Sequence, residues 1–244
     1  MAHPRWIVHQ TDALLLLPTL PAGSVDLVLA DPPYNSGGRT PTERRSQTPR
    51  HKYVSGDARH DLADFAGDTR DQRGYGYWLS LLLAECHRVA NDGASCLVFT
   101  DWAQLPVTSD ALQAGGWRWL GIVPWRKPIS RPRRDGFRRE CEYVLWGSRG
   151  EPYRHHPPVY LPGWVEGSQP RGQGRHHITQ KPVPVLRSLV RVCPPGGTVL
   201  DPCAGSGSAG IAALAEGHRF VGIETTAHYA AIARERLAAC AEEE

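Results

Sequence analysis

Apolar and polar positions recur along this chain in two different periods. From Val25 to Ala30 a short apolar run, Val-Asp-Leu-Val-Leu-Ala, stands between Pro-Ala-Gly and Asp-Pro-Pro, which predicts a buried strand feeding a turn. From Tyr75 to Ala90 the period lengthens. Trp78, Leu81, Leu82, Cys86 and Val89 follow helical spacing, and Asn91-Asp92-Gly93 predicts the helix stop. Ser95 to Phe99, Leu120 to Val123 and Glu142 to Trp146 predict three more strands. The last third alternates most regularly: helix over Pro182–Val192, strand over Thr198–Leu200, helix over Ser208–Glu216 ended by Gly217, strand over Arg219–Ile223, helix over Ala227–Cys240. Such alternation implies parallel strands joined by right-handed crossovers. The predicted fold class is therefore α/β, a doubly wound, mostly parallel sheet.

Two stretches interrupt the pattern: Asn35 to Gly74 is polar and rich in Gly, Arg and Asp, and Gly147 to His177 is rich in Pro, Gly and His. Aperiodic segments of this length are usually functional or disordered. The 25 glycines and 21 prolines among 244 residues agree with a single domain spanning 1–244 that carries a loop insertion, 35–74, and a short segment, 147–177. That length buries a full core without staples. The six cysteines form no Cys-x-x-Cys pair, a poor match to a zinc ribbon or a secreted disulfide framework, and reduced thiols are expected. No apolar run, Leu14–Leu17 included, approaches a membrane span or follows a basic leader, so a soluble, unexported, cytoplasmic chain without membrane contact is expected.

Thr198 to Gly207, Thr-Val-Leu-Asp-Pro-Cys-Ala-Gly-Ser-Gly, reads as a strand running into a glycine turn and then a helix. Glycine permits close approach of a ligand to the backbone, and the helix start offers free N–H groups to an anion. Glu224, 23 residues after Asp201, falls at the end of the next strand, where a carboxylate accepts from ribose hydroxyls. A lone Gly-x-Gly also serves plain turns. The loop lacks the third glycine of a dinucleotide fingerprint and the Gly-Lys-Ser/Thr of a P-loop, which disfavours NAD and ATP and leaves S-adenosylmethionine as the better candidate.

Asp31-Pro32-Pro33-Tyr34 follows the Val25–Ala30 strand, at the edge where open α/β sheets bind ligands. The prolines stiffen the turn and remove donors, leaving carbonyls and the Asp31 carboxylate as acceptors for an amino group. Tyr34 adds a ring on which a planar base could stack. A plain Pro-Pro turn capped by Asp31 is the alternative.

Asp31-Pro32-Pro33-Tyr34 resembles the catalytic motif of the amino-group DNA methyltransferases, which methylate the exocyclic amine of adenine or cytosine. Thr179-Gln180-Lys181-Pro182, the loop Asp201-Pro202-Cys203-Ala204-Gly205-Ser206-Gly207, and Gly222-Ile223-Glu224 with Thr225 are similar to that family's cofactor motifs, as is Asp12 to its opening segment. Catalytic motif first and cofactor loop last is the circularly permuted β order. The resemblance implies a Rossmann-like domain, S-adenosylmethionine as cofactor, no metal, and methyl transfer to the N6 of an adenine flipped out of double-stranded DNA. Asp31 with the Pro32 carbonyl would accept the amine N–H groups, and Tyr34 would hold the base. Cys203 stands where the family usually has Phe.

The net charge of +3 says little, but only Lys52, Lys127 and Lys181 of the 28 basic residues are lysines. Arg126 to Arg139 gathers Arg126, Lys127, Arg131, Arg133, Arg134, Arg138 and Arg139 against Asp135, and Arg39 to Arg59 includes Arg39, Arg44 and Arg45. These are candidate phosphate contacts, with solvated faces as the alternative. His155-His156 and His176-His177 have no further ligand at metal spacing, and 147–177 is expected to be a target-recognition segment. N4-cytosine methylation, RNA or protein-glutamine methylation, and a non-catalytic DNA-binding module are the rival functions. The family resemblance leaves a homodimer open and places the chain in a bacterial or phage-infected cytoplasm at the nucleoid.

Overall fold

The computed structural model describes residues 4–34, 70–130, 132–170, 177 and 179–242. In chain order the elements are β1 (Trp6–Gln10), α1 (Ala13–Leu16), β2 (Val25–Ala30), α2 (Gln72–Val89), β3 (Ala90–Thr100), α3 (Leu105–Ala114), β4 (Arg118–Arg126), β5 (Cys141–Ser148), β6 (Val165–Glu166), α4 (Val183–Val190), β7 (Thr198–Asp201), α5 (Ser208–Ala215), β8 (Arg219–Glu224) and α6 (Ala227–Glu242). The strands form one sheet in the order β1-β8-β7-β2-β3-β5-β4-β6. Pairing is parallel from β1 through β3, and β5 runs antiparallel between β3 and β4. The expected mostly parallel α/β sheet is therefore present.

Its centre is the β7–β2 pair, Leu27 opposite Val199 and Val28 opposite Leu200, all without solvent exposure. From β7 the chain crosses through α5 to β8 on one side; from β2 it proceeds to α2 and β3 on the other. The strand order thus reverses between β7 and β2, and such a switch point opens a crevice at the carboxyl ends of the two strands. Helices α2 and α3 pack together, as do α4, α5 and α6.

Several elements differ from the sequence expectation. The buried face of α2 is Tyr75, Leu79, Leu82, Leu83, Cys86 and Val89. The helical period is kept but the stripe is rotated, leaving Leu81 exposed and Trp78 at the edge of the core. Asn91-Asp92-Gly93 does end α2, yet it lies inside β3. There Val25 faces Ala90 and Leu27 faces Ser95, so extra residues bulge out, with Gly93 at φ 82° supplying the left-handed bend. α3 was not predicted, because its inward face carries Thr108 and Ser109. Thr108 is satisfied by its neighbours, its hydroxyl 2.9 Å from that of Thr100 and donating to the Gln104 carbonyl at 2.8 Å.

The segment 147–177 does not stay at one place. Tyr153 donates to the Gly93 carbonyl at the amino end of β3, whereas Gly167 donates to the Arg126 carbonyl at the opposite edge. Its first half therefore begins far from the crevice; residues 165–167 run along β4 at the far edge of the sheet, and of the described residues of the segment His177 lines the crevice. Arg39, Arg44, Arg45 and Arg131, with most of the 35–74 insertion, lie outside the described residues.

Candidate active site

Asp31 leaves the end of β2 directly into the crevice, and Asp201 ends β7 beside it. Lys181, two residues before α4, reaches across 150 positions of sequence and sets its Nζ 2.6 and 2.7 Å from the two carboxylate oxygens of Asp31. The same Nζ is 3.3 Å from the Tyr34 hydroxyl. Tyr34 donates to Glu142 Oε2 at 2.8 Å, and Lys127 donates to Glu142 Oε1 at 2.6 Å. Two carboxylates and two ammoniums thus make a neutral, nearly buried quartet. Rings surround it, with the Lys181 Nζ 5.1 Å from the centre of Phe99 and 5.9 Å from that of Trp125.

Burial raises the Asp31 carboxyl above its usual range; Lys181 opposes the rise and the Glu142 charge adds to it. Burial acts on Glu142 in the same direction, but Lys181 and Lys127 outweigh it and hold that carboxyl below its usual range. Asp201 goes the other way. Burial pushes it up to about 8, against the Cys203 N–H that it accepts at 2.9 Å, with Asp31 and Glu224 adding to the rise. Burial thus favours the neutral form of Asp201, and a cation entering the crevice favours its ionised form. Burial likewise keeps Cys203 a thiol.

The glycine loop is tied down at three points. Glu224 accepts the Gly205 N–H at 2.9 Å and the Thr226 N–H at 2.7 Å. Ala204 donates to the Ile223 carbonyl, and Arg236 from α6 donates to the Ser206 carbonyl and hydroxyl. Gly207, at φ 78°, packs so closely on α6 that a Cβ would stand 3.1 Å from that of Ala233. Gly205, at φ 50°, faces the crevice instead, below the ring of His177.

Two adjoining recesses meet along Asp31, His177, Cys203 and Gly205. The first also receives Thr179, Lys181, Asp201, Ala204 and Ser206. The second receives Asp12, Pro33, Pro202, Glu224 and Thr225. The predicted catalytic and cofactor motifs therefore open on one crevice. Asp12 also caps α1 by accepting the Leu14 N–H at 2.8 Å.

Two expectations change, and a third gains a second part. Lys181, placed with the cofactor residues, lines the first recess and also pairs with Asp31. Lys127, placed with the phosphate contacts, turns inward to Glu142, because a buried carboxylate needs a partner. Tyr34 is not an open stacking surface: it is 7% exposed, and its hydroxyl is fixed by Glu142. Arg126 bonds Glu166 at 2.8 Å, whereas Arg133, Arg134, Arg138 and Arg139 lie on the β4–β5 loop at the same sheet edge. Sequence reasoning missed Glu142, Trp78 and His177. Glu142 looked like one position of a strand, and His177 like part of a recognition segment, although it stands two residues before Thr179 and packs 4.2 Å from the Tyr229 ring.

A family model described as DNA methylase matches residues 25–235. The chain belongs to the amino-group DNA methyltransferases. Members of this family depend on S-adenosylmethionine. This methyltransferase is 33% identical over 233 residues to YubD, an Escherichia coli (strain K12) protein that bears the name methylase, covering 94% of this chain and 89% of YubD. It is 29% identical to the DNA adenine methyltransferase YhdJ of the same organism, covering 96% of this chain and 82% of YhdJ. Its fold matches the M1.HpyAVI–SAM complex at a TM-score of 0.67 and 19% identity, covering 95% of this chain and 98% of that one. It also matches the cytosine-N4-specific PvuII DNA methyltransferase at 0.69 and 15%, covering 99% and 93%. Among the described residues no helix is long and apolar enough to cross a membrane, and no cluster of His, Cys, Asp and Glu is arranged to hold a metal ion.

Proposed function

We propose that this methyltransferase acts on the N6 amine of adenine in double-stranded DNA. The observation that carries the reading is the position of Asp31 at the switch point, its carboxylate facing the crevice that the glycine loop lines. The name of the relative YhdJ supports adenine. The cytosine-N4 likeness, at 15% identity, speaks for the fold alone.

S-adenosylmethionine, when bound, supplies a sulfonium methyl. Glu224, with lone pairs left after two backbone bonds, suits the ribose hydroxyls; Asp12 and Thr225 border the same recess, and Gly205 lets a ligand approach the backbone. Trp78 and His177 offer the ring surface that Cys203 does not. Asp31 and the Pro32 carbonyl accept the two N–H bonds of the target amine, drawing its lone pair out of conjugation. As the amine took the sulfonium methyl, the S–C electron pair would stay on sulfur, the positive charge gained by nitrogen would meet the Asp31 carboxylate, and the surplus amine proton would leave along its hydrogen bond to that carboxylate. Lys181 holds that carboxylate in place, and Glu142 neutralises Lys181 so that the ammonium does not oppose the developing charge. Tyr34 locks the turn. Phosphates are met by Arg133, Arg134, Arg138 and Arg139, and recognition falls to the 147–177 segment, whose His177 lines the crevice.

Asp31 works only when ionised, so activity falls as pH drops through its raised pKa. Lys181→Met removes the cation that opposes the rise. The acidic limb of the kcat profile is expected to move up by about one pH unit or more, with a lower plateau; an unmoved limb contradicts the pairing as a functional one. The target base is read by digesting DNA from an expressing host to nucleosides for mass spectrometry. N6-methyladenine is the expected product. N4-methylcytosine alone overturns the adenine assignment.

A further inference from the structure

Residues 127–140 join β4 to β5 at the carboxyl edge of the sheet, the edge that holds Asp31. The arm is braced at its base. Lys127 donates through its backbone N–H to the Glu140 carbonyl at 2.6 Å. The Arg139 guanidinium lies 4.5 Å over the ring of Trp102, just past the end of β3. Glu140 pairs with Arg126 at 3.6 Å and Arg138 at 3.8 Å. Two residues beyond the base, Glu142 grips Tyr34 of the catalytic turn. At the tip, Asp135 takes a left-handed φ of 53°, and the turn it makes with Gly136 presents Phe137 to solvent. Phe137 is 95% exposed, the most exposed large apolar side chain among the described residues.

A lone exposed apolar residue needs no explanation by itself. Phe137 differs in its surroundings. Arg133, Arg134, Arg138 and Arg139 flank it within four positions on either side, and the side chain of Arg134 is 96% exposed. Cations around a projecting ring suit a partner with an anionic surface and an apolar interior, which is the make-up of stacked duplex DNA. The ring gains nothing from phosphates, and the guanidiniums gain nothing from a dry protein groove.

On the proposed function, the target amine is out of reach until its base leaves the stack, and the vacated space costs stacking on both sides. We propose that Phe137 inserts into the DNA stack beside the target base and fills that space, while the arginines of the arm hold the flanking phosphates. The wedge acts on base extrusion and not on methyl transfer, so its contribution is largest where the target is firmly paired.

The test uses the full chain and duplexes carrying the sequence that it methylates, with the target base either paired or opposite an abasic site. Phe137→Ala is expected to lower kcat on the paired duplex about tenfold or more, and to recover to within about threefold of the unaltered protein on the abasic duplex, where extrusion is cheaper. Phe137→Trp is expected to restore turnover on the paired duplex. Because the side chain touches solvent, the alanine variant should keep its melting temperature. Equal loss on both duplexes, or no loss on either, overturns the wedge. Absence of transfer by the unaltered protein to any duplex DNA instead overturns the methyltransferase reading, and the wedge with it.

Discussion

Asp31→Ala is expected to lower turnover about 10³-fold, with cofactor and DNA affinity each held within about threefold. The asymmetry follows from when the carboxylate matters. In the ground state the target amine is a neutral, conjugated group, and its bonds to Asp31 replace bonds to water. As the methyl arrives, the nitrogen becomes cationic in a site screened from solvent, and the ion pair with Asp31 strengthens. The variant also leaves Lys181 without its carboxylate. Asp31→Asn keeps the shape of the turn but places a dipole where a charge is needed, so it should fall nearly as far. Single-turnover transfer from labelled S-adenosylmethionine, set beside calorimetric binding, separates the two quantities. Near-normal turnover in either variant would return Asp31 to the status of a turn residue.

The second large effect belongs to the cofactor side. Glu224→Ala is expected to weaken S-adenosylmethionine binding about 100-fold, with kcat at saturating cofactor changed by no more than about threefold. Two charge-assisted hydrogen bonds to ribose, at roughly 1.5–3 kcal/mol each, account for that size, since each 1.4 kcal/mol is a factor of ten. The same carboxylate also holds the Gly205 and Thr226 N–H groups, so the alanine variant loosens the glycine loop as well. Glu224→Gln separates the roles: its single carbonyl oxygen retains part of the acceptor set, and an intermediate affinity is expected. Calorimetry giving an unchanged Kd for Glu224→Ala contradicts the assignment.

The sheet and the two motifs were legible because each is local: a strand, a glycine or proline turn, and the helix after it occupy consecutive residues. The quartet was not. Asp31, Lys127, Glu142 and Lys181 come from four separate stretches, and the four charges meet only after β5 has folded back antiparallel between β3 and β4. A basic residue in a basic run reads as a surface group, which is how Lys127 was misplaced; nothing near it in sequence marks the buried carboxylate that it serves. β1 was missed for a related reason. Its five residues pair with β8, at the far end of the chain, and carry only one buried position of their own. α3 hides because the hydroxyl of Thr108 is paid for by Thr100 and Gln104, so a core-facing helix surface carries polar letters. Trp78 followed the correct period on the wrong face: the helix is rotated so that its ring meets the crevice rather than the middle of the core.

On the proposed function, the crevice between β7 and β2 transfers methyl to an exocyclic amine of DNA. Its most direct measurement incubates the purified protein with S-adenosylmethionine carrying an isotopic methyl label and unmethylated duplex DNA, then locates the label by mass spectrometry of the released nucleosides. The account predicts label on an exocyclic amine, adenine N6 first, and none above background with Asp31→Ala. Label on a ring carbon of cytosine, or equal labelling by the unaltered protein and Asp31→Ala, would contradict it.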